Sequence, residues 1–263
     1  MNFELEANNF SLKDTLTCGQ CFRFRAVDSN SFLVFAGKNS AVISQKKSAL
    51  KFKFSTCGPD FWENYLDLNY DYGRLLNNFR GDKILEKAMY LCGGIKILRQ
   101  DPWETLVSFI ISANNNIPRI QGIIDRLCCG FGEKIENGFS FPSTARLENC
   151  SSDDLAVLRA GFRARYILDA ASKVSSGEVD LTEIYDMDVE DAKKSLMKIC
   201  GVGDKVAKCV LLFGYHKMDA FPVDVWMKKV LQEHYPNGPS EQISSCPGLA
   251  QQILFHAKRN KYI

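Results

Sequence analysis

Over the first fifty-odd positions, apolar and polar residues alternate in short runs rather than at helical spacing. Gln20-Cys21-Phe22-Arg23-Phe24-Arg25, Ser31-Phe32-Leu33-Val34-Phe35, Ala41-Val42-Ile43-Ser44 and Leu50-Lys51-Phe52-Lys53-Phe54 are β-favouring segments separated by polar breaks. They predict a small antiparallel sheet with one wet face. From about Asp60 the spacing changes to three and four. Phe61, Tyr65 and Leu68 share one helical face, and Ile84, Leu85, Ala88 and Leu91 share another. Pro102-Trp103-Glu104 opens a strongly apolar helix through Leu106, Phe109 and Ile110, with Asp101 placed to cap it and Asn114-Asn115-Asn116 to end it.

Ile117 to Cys128 reads as a further amphipathic helix, and a Gly-rich polar connector covers 130–145. Helical patterning resumes at Ser152–Leu158, Tyr166–Val174 and Glu190–Ile199, without internal repeat or low-complexity tract. The expected class is α+β: residues 1–95 form an antiparallel β unit with following helices, and residues 96–263 form a helical domain.

Composition narrows the class only a little. With 46% hydrophobic and 24% charged residues the chain is ordinary for a globular protein, and no apolar run is long enough to span a membrane. A formal net charge of +2 neither requires nor excludes nucleic acid, because affinity follows local phosphate contacts. Of the ten cysteines only Cys18-x-x-Cys21 has ligand-like spacing, and no second pair stands near enough to complete a zinc set. Reduced thiols in a cytosol-like compartment are expected.

The most informative stretch is Leu196 to Tyr215. One helix ends near Ile199, Cys200-Gly201-Val202-Gly203 makes a tight turn, and a second helix begins at about Asp204. Glycines at 201 and 203 let backbone approach a ligand closely, and the exposed amides of the following helix favour an anion such as a phosphate. A plain helix-turn-helix connector is the alternative. Lys205 lies one position into the second helix, where the dipole disfavours an ammonium; a neutral amine is what a Schiff-base nucleophile requires. Alone, it reads more readily as a solvated surface lysine. Nineteen residues on, Asp224 precedes the amphipathic run Val225–Val230 and reads as a helix cap. Capping amides would favour its ionised form, ready to stabilise an oxocarbenium-like transition state.

Hairpin, lysine and distal Val-Asp together resemble the helix-hairpin-helix glycosylases, and among them the 8-oxoguanine DNA glycosylase/lyases. The resemblance runs over nearly the whole chain: Cys18-Gly19-Gln20-Cys21-Phe22-Arg23, Leu98-Arg99-Gln100-Asp101-Pro102, Asn114-Asn115-Asn116-Ile117-Pro118-Arg119-Ile120, Gly161-Phe162-Arg163-Ala164-Arg165-Tyr166, Gly201-Val202-Gly203-Asp204-Lys205-Val206-Ala207, Pro222-Val223-Asp224-Val225 and Ala250-Gln251-Gln252-Ile253-Leu254-Phe255. It implies duplex DNA carrying oxidised guanine opposite cytosine as substrate, base excision through a lysine Schiff base, and β-elimination of the strand. Lys205 would be nucleophile and Asp224 its carboxylate partner. Gly19 would accept a hydrogen bond from the lesion's protonated ring nitrogen, Gln251 would read its Watson–Crick edge, and Phe255 and Cys209 would sandwich it. Asn114 would fill the hole left by the flipped base and Phe162 would wedge into the stack. Arg119 and Arg163 would contact the orphaned cytosine, and Gly201 and Gly203 the DNA backbone.

The resemblance also implies no cofactor beyond an alkali cation on the carbonyls of Met197, Ile199 and Val202. Only Cys246 follows Cys209, which is too few for the iron–sulfur cluster of endonuclease III relatives. Two positions depart from the pattern. Trp226 stands where animal relatives carry histidine, which puts the pocket's electrostatics and the strength of lyase activity in question, and Cys200 stands where a proline is common. The expectation is a monomeric, cytoplasmic enzyme of prokaryotic type, without membrane partner. The rivals are a glycosylase for another damaged base and a non-catalytic DNA-binding module.

Overall fold

The computed structural model describes all 263 residues. Five antiparallel strands form the N-terminal sheet: β1 (Phe3–Glu6), β2 (Phe24–Ala26), β3 (Ser31–Ala36), β4 (Asn39–Lys46) and β5 (Ala49–Lys53), in the order β1-β5-β4-β3-β2. Phe32, Ile43 and Phe52 pair in register across β3, β4 and β5 and are all buried, so the alternating pattern turns one sheet face inward. Behind it, helix α1 (Leu12–Thr17) and helix α2 (Pro59–Tyr65), with Trp62 fully buried, close a small core.

The helical body contains α3 (Tyr72–Asn77), α4 (Lys83–Cys92), α5 (Pro102–Ser112), α6 (Ile117–Phe131), α7 (Thr144–Glu148), α8 (Arg163–Ser175) and α9 (Val189–Leu196). It continues through α10 (Asp204–Tyr215), α11 (Val225–His234), α12 (Glu241–Ser245) and α13 (Pro247–Arg259). Asp101 caps α5 as its sequence suggests, accepting from the Glu104 amide at 2.8 Å. Helices α5 and α10 are buried around nearly their whole circumference and pack on each other. Helices α3 and α4 also bury side chains in this larger core, α4 against α13.

Several local expectations differ from the structure. Gln20–Arg23 is not strand, and of the expected Gln20–Arg25 segment only Phe24 and Arg25 enter β2. The buried Gln20 side chain instead donates to the carbonyls of Thr15 (2.9 Å) and Lys96 (2.8 Å) and accepts from the Leu98 amide (2.8 Å), satisfying a non-ladder backbone. Asp154–Leu158 is a 3-10 turn stopped by Arg159 in the left-handed region, and the 130–145 connector holds a short hairpin, β6 (Lys134–Ile135) and β7 (Gly138–Phe139).

Two polar clusters join the sheet side to the helices. Arg23 Nη1 reaches Glu104 on α5 at 2.9 Å, and Nη2 donates to the Phe139 carbonyl at 2.7 Å. Burial pushes the Glu104 carboxyl up while the Arg23 guanidinium opposes it. Removing one member leaves the other charge buried, so Arg23→Ala should destabilise the fold by about 3–5 kcal/mol in urea melts. A loss below about 1 kcal/mol would show that water reaches Glu104.

The second cluster holds the C-terminal end of α10. Asp67 accepts from Tyr72 Oη (2.7 Å) and Arg99 Nε (2.6 Å), and its Oδ2 lies 2.9 Å from His216 Nε2. Burial acts to raise the Asp67 carboxyl, but His216, the Tyr72 hydroxyl and Arg99 overcome it and hold it below its usual value. A lowered carboxylate stabilises the fold above the unfolded-state value, about pH 4, and that contribution fades as pH falls through the folded-state value. Asp67→Asn should therefore flatten the acid limb of stability against pH; an unchanged limb would assign the acid loss elsewhere.

Candidate active site

The hairpin is built by close approach. Gly201 sits at φ +82°, and a Cβ there would lie 2.3 Å from Cδ2 of the Tyr166 ring on α8. The Cys200 amide donates to Asp169 Oδ2 at 2.7 Å, and Val202 donates to the Ile199 carbonyl at 3.1 Å. Gly203 caps α10 without a side chain, leaving the amides of Asp204, Lys205 and Val206 without protein acceptors. That is the arrangement that receives an anion. Lys193 and Lys208 both pair with Asp204, at 3.4 and 3.0 Å, whereas Lys205 makes no ion pair and places Nζ 5.2 Å from the centroid of Phe109.

Asp224 caps α11 through Oδ1, accepting from the amides of Trp226 (3.0 Å) and Met227 (2.9 Å), while Oδ2 has no hydrogen-bond partner in the protein. Lys205 and Asp224 share the wall of one cleft of about 690 Å³ that also includes Gly19, Asn114, Trp226, Phe255 and Arg259. Below it lies a cavity of about 40 Å³, lined among others by Gly19, Lys205, Cys209, Asp224, Gln251 and Phe255. The sequence-predicted catalytic pair and all four base-recognition residues thus meet at one place.

Hydrogen bonding around this cavity is uneven. The carbonyl of Cys18 accepts from Gln252 (2.7 Å) and that of Gln20 from Gln100 (2.8 Å), yet the Gly19 carbonyl between them receives no protein donor. Gln251 is buried with Oε1 unpartnered. Buried polar groups are nearly always paired, so unpaired ones around a cavity mark groups kept for a ligand. Burial pushes the Cys209 thiol up against the opposing Lys205 charge, so it faces the cavity as a neutral, polarizable surface.

Of the four side chains expected on DNA, Asn114 lines the cleft, and the four differ in exposure. Asn114, at φ +50°, follows α5, and both it and Arg119 are exposed; Phe162 is 48% exposed before α8. Arg163 is instead 3% exposed, with its guanidinium donating to the carbonyls of Ala113 (2.9 Å), Asn114 (2.9 Å) and Ala160 (3.2 Å). In this conformation it braces the Asn114 loop. Cys18 and Cys21 are buried thiols, with Cys18 pushed up to about 11 by burial, which suits packing rather than redox exchange. Sequence reasoning missed Phe109 beneath Lys205 and Arg259 beside Gly19. Phe109 looked like any core position, and only the i, i+4 spacing from Phe255 could have pointed to Arg259.

A mixed α/β body with a glycine hairpin, an uncapped helix start and a Lys/Asp pair over an apolar pocket defines a helix-hairpin-helix base-excision glycosylase architecture. The family models agree: residues 2–106 match the 8-oxoguanine DNA glycosylase N-terminal domain, and residues 107–245 match the HhH-GPD superfamily of base excision DNA repair proteins. The chain belongs to that superfamily. It superposes on the structure of MBOgg1 in complex with a low affinity DNA ligand with a TM-score of 0.93 at 35% identity, covering 99% of this chain and 96% of that one. For the Clostridium acetobutylicum 8-oxoguanine glycosylase/lyase in complex with dsDNA containing cytosine opposite 8-oxoG, the TM-score is 0.90 at 33% identity, covering 100% and 99%. The N-glycosylase/DNA lyase of Saccharomyces cerevisiae is 39% identical over 158 residues, 54% of this chain and 42% of that protein. The chain spans about half the length of the curated relatives it matches.

Gly201→Ala should lower stability by about 1–2 kcal/mol from left-handed strain alone, with more from the Tyr166 clash. Adding Tyr166→Ala should return the clash component in thermal melts. A single variant as stable as wild type would mean that the hairpin adapts freely.

Proposed function

We propose that the chain is a bifunctional DNA glycosylase and abasic-site lyase that excises 8-oxoguanine paired with cytosine. The observation that carries this reading is the placement of Lys205 and Asp224 on the cavity that also contains Gly19, Cys209, Gln251 and Phe255. An amine free of any ion pair and placed over an apolar ring at the cavity wall is positioned for nucleophilic attack.

In the first step Lys205 Nζ bonds to the anomeric carbon as the bond to the base breaks, and the departing base takes a proton. Asp224 Oδ2 supplies negative charge to the oxocarbenium-like transition state, while Oδ1 stays committed to its cap. Opening of the sugar ring gives a protonated imine on Lys205. Loss of a proton from the neighbouring carbon then expels the 3′ phosphate, and hydrolysis of the imine restores the amine. The uncapped amides of α10 would hold a DNA phosphate near this chemistry. The carbonyls of Met197, Ile199 and Val202 are donors of the type a hard cation takes, and an alkali ion there would add phosphate affinity. Asn114, Arg119 and Phe162 supply exposed groups to hold the opened duplex. With ten unpaired cysteines, a reducing cytoplasm beside the DNA is the compartment that suits the chain.

Borohydride should trap a covalent adduct on an 8-oxoguanine:cytosine duplex with the wild type and none with Lys205→Gln. Asp224→Asn should slow single-turnover excision by about 10²–10³-fold with DNA binding retained. An adduct persisting in Lys205→Gln would remove the assigned nucleophile. Wild-type binding without excision across a panel of damaged bases would favour a non-catalytic module.

A further inference from the structure

Arg259 ends α13, one turn beyond Phe255, and its guanidinium carbon lies 5.5 Å from the centroid of that ring. Nη2 donates to the Thr17 carbonyl at the end of α1, which fixes the plane of the group. Nη1 is buried and has no partner. A Cβ built on Gly19 would lie 3.5 Å from Nη1 and 3.4 Å from Phe255 Cε1, so the free nitrogen stands against the Gly19 wall beside the proposed stacking ring. Arg259 makes no ion pair, although its neighbour Lys258 pairs with Glu233. A buried guanidinium donor without acceptor is costly, and here it borders the cleft that contains Lys205 and Asp224.

We propose that Arg259 is a base-reading residue whose Nη1 donates to a ring carbonyl of the flipped-out oxidised purine, next to the Gly19 carbonyl. This deepens the functional reading above and rests on it. The five-membered-ring side of 8-oxoguanine presents a protonated nitrogen between two carbonyl oxygens, an acceptor–donor–acceptor edge. A carbonyl at Gly19 with a guanidinium beside it is the complement. Unoxidised guanine has a bare nitrogen and a C–H there, so it meets the Gly19 carbonyl acceptor to acceptor. As the glycosidic bond breaks, negative charge spreads onto the base carbonyls, where a fixed cation stabilises it. A phosphate ligand fits less well, because Nη1 is screened from solvent by the Gly19 backbone and the Phe255 ring.

The test compares wild type and Arg259→Leu in single turnover on three duplexes, carrying 8-oxoguanine, 8-oxoadenine or a preformed abasic site. The variant should lose roughly 10- to 100-fold in 8-oxoguanine excision, the range of one charge-assisted hydrogen bond, while strand cleavage at the abasic site changes less than about threefold. The abasic arm also reports that the variant is folded. An equal loss on 8-oxoadenine assigns the contact to the 8-carbonyl, and a loss confined to 8-oxoguanine assigns it to the 6-carbonyl. A parallel loss on abasic DNA would make Arg259 a phosphate contact, and unchanged excision would leave it no part in reading the base; either overturns the proposal. A wild type that leaves 8-oxoguanine in place would overturn the functional reading instead, and this inference with it.

Discussion

The contact of α10 with α5 determines where Lys205 and the Asn114 loop sit. Gly214 lets the two backbones close up, since a Cβ there would stand 3.2 Å from the Pro102 Cα and 3.3 Å from the Thr105 Cβ. Phe213 and Phe109 stack across the same contact at 5.4 Å between centroids. Because both helices are buried on nearly all sides, neither can rotate without opening the main core. The N-terminus of α10 is thereby held at the hairpin with Lys205 over Phe109, and the C-terminus of α5 delivers the Asn114 loop to the same cleft. At the far end, Asp67 and His216 tie α10 to the N-terminal part of the chain. Lys205, the proposed nucleophile, sits on one of the best-anchored elements, as a site that requires sub-ångström placement should.

The distribution of satisfied and unsatisfied polar groups carries the chemical logic. Four glutamines surround the Gly19 turn. Gln20, Gln100 and Gln252 spend their amides on neighbouring backbone, while Gln251 keeps its Oε1 free. The same division separates the two oxygens of Asp224, one spent on helix amides and one free. His234 Nε2 and His256 Nδ1 are unpartnered elsewhere, but Gln251 Oε1, the Gly19 carbonyl and Asp224 Oδ2 are left over around one cavity, where a ligand would offset their cost. Convergence of this kind separates a binding site from scattered surface polarity more firmly than cleft size does.

Much of this was legible in the sequence, for reasons that differ from residue to residue. Gly201 could be read because a tight turn before a helix start favours glycine, whereas Lys205, at a helix start that disfavours an ammonium, drew its role from its context with Asp224 and the resemblance. Asp224 could be read because capping has a local signature. Gly19, Cys209, Gln251 and Phe255 carry no local signature at all; they drew attention only through family resemblance, and their meeting depends on contacts over some two hundred residues of chain. Gln20–Arg23 misled because β-favouring residues occur there for packing, while Gln20 takes the backbone out of the ladder; Phe24 and Arg25 of the same run do enter β2. Arg163 was legible as a candidate DNA contact, but its burial against the Ala113 and Asn114 carbonyls, where it braces the loop, is announced by no pattern.

The cavity of about 40 Å³ has room for little more than a water, far less than a purine needs, so the walls must part for a base to enter. Cys209 cannot retreat, being fixed on α10 in the core, and the Gly19 turn is held from both sides by Gln252 and Gln100. The part with freedom is the half-buried side chain of Phe255, which packs on the anchored Arg259 guanidinium and contacts the Gly19 wall. Displacing it costs on the order of 1 kcal/mol in rotamer energy, plus the contacts it leaves. Under the proposed function, a base that pairs with the Gly19 carbonyl, Gln251 and Arg259 would offset this cost, and a base that leaves one of them unpaired would offset less of it, which couples entry to recognition.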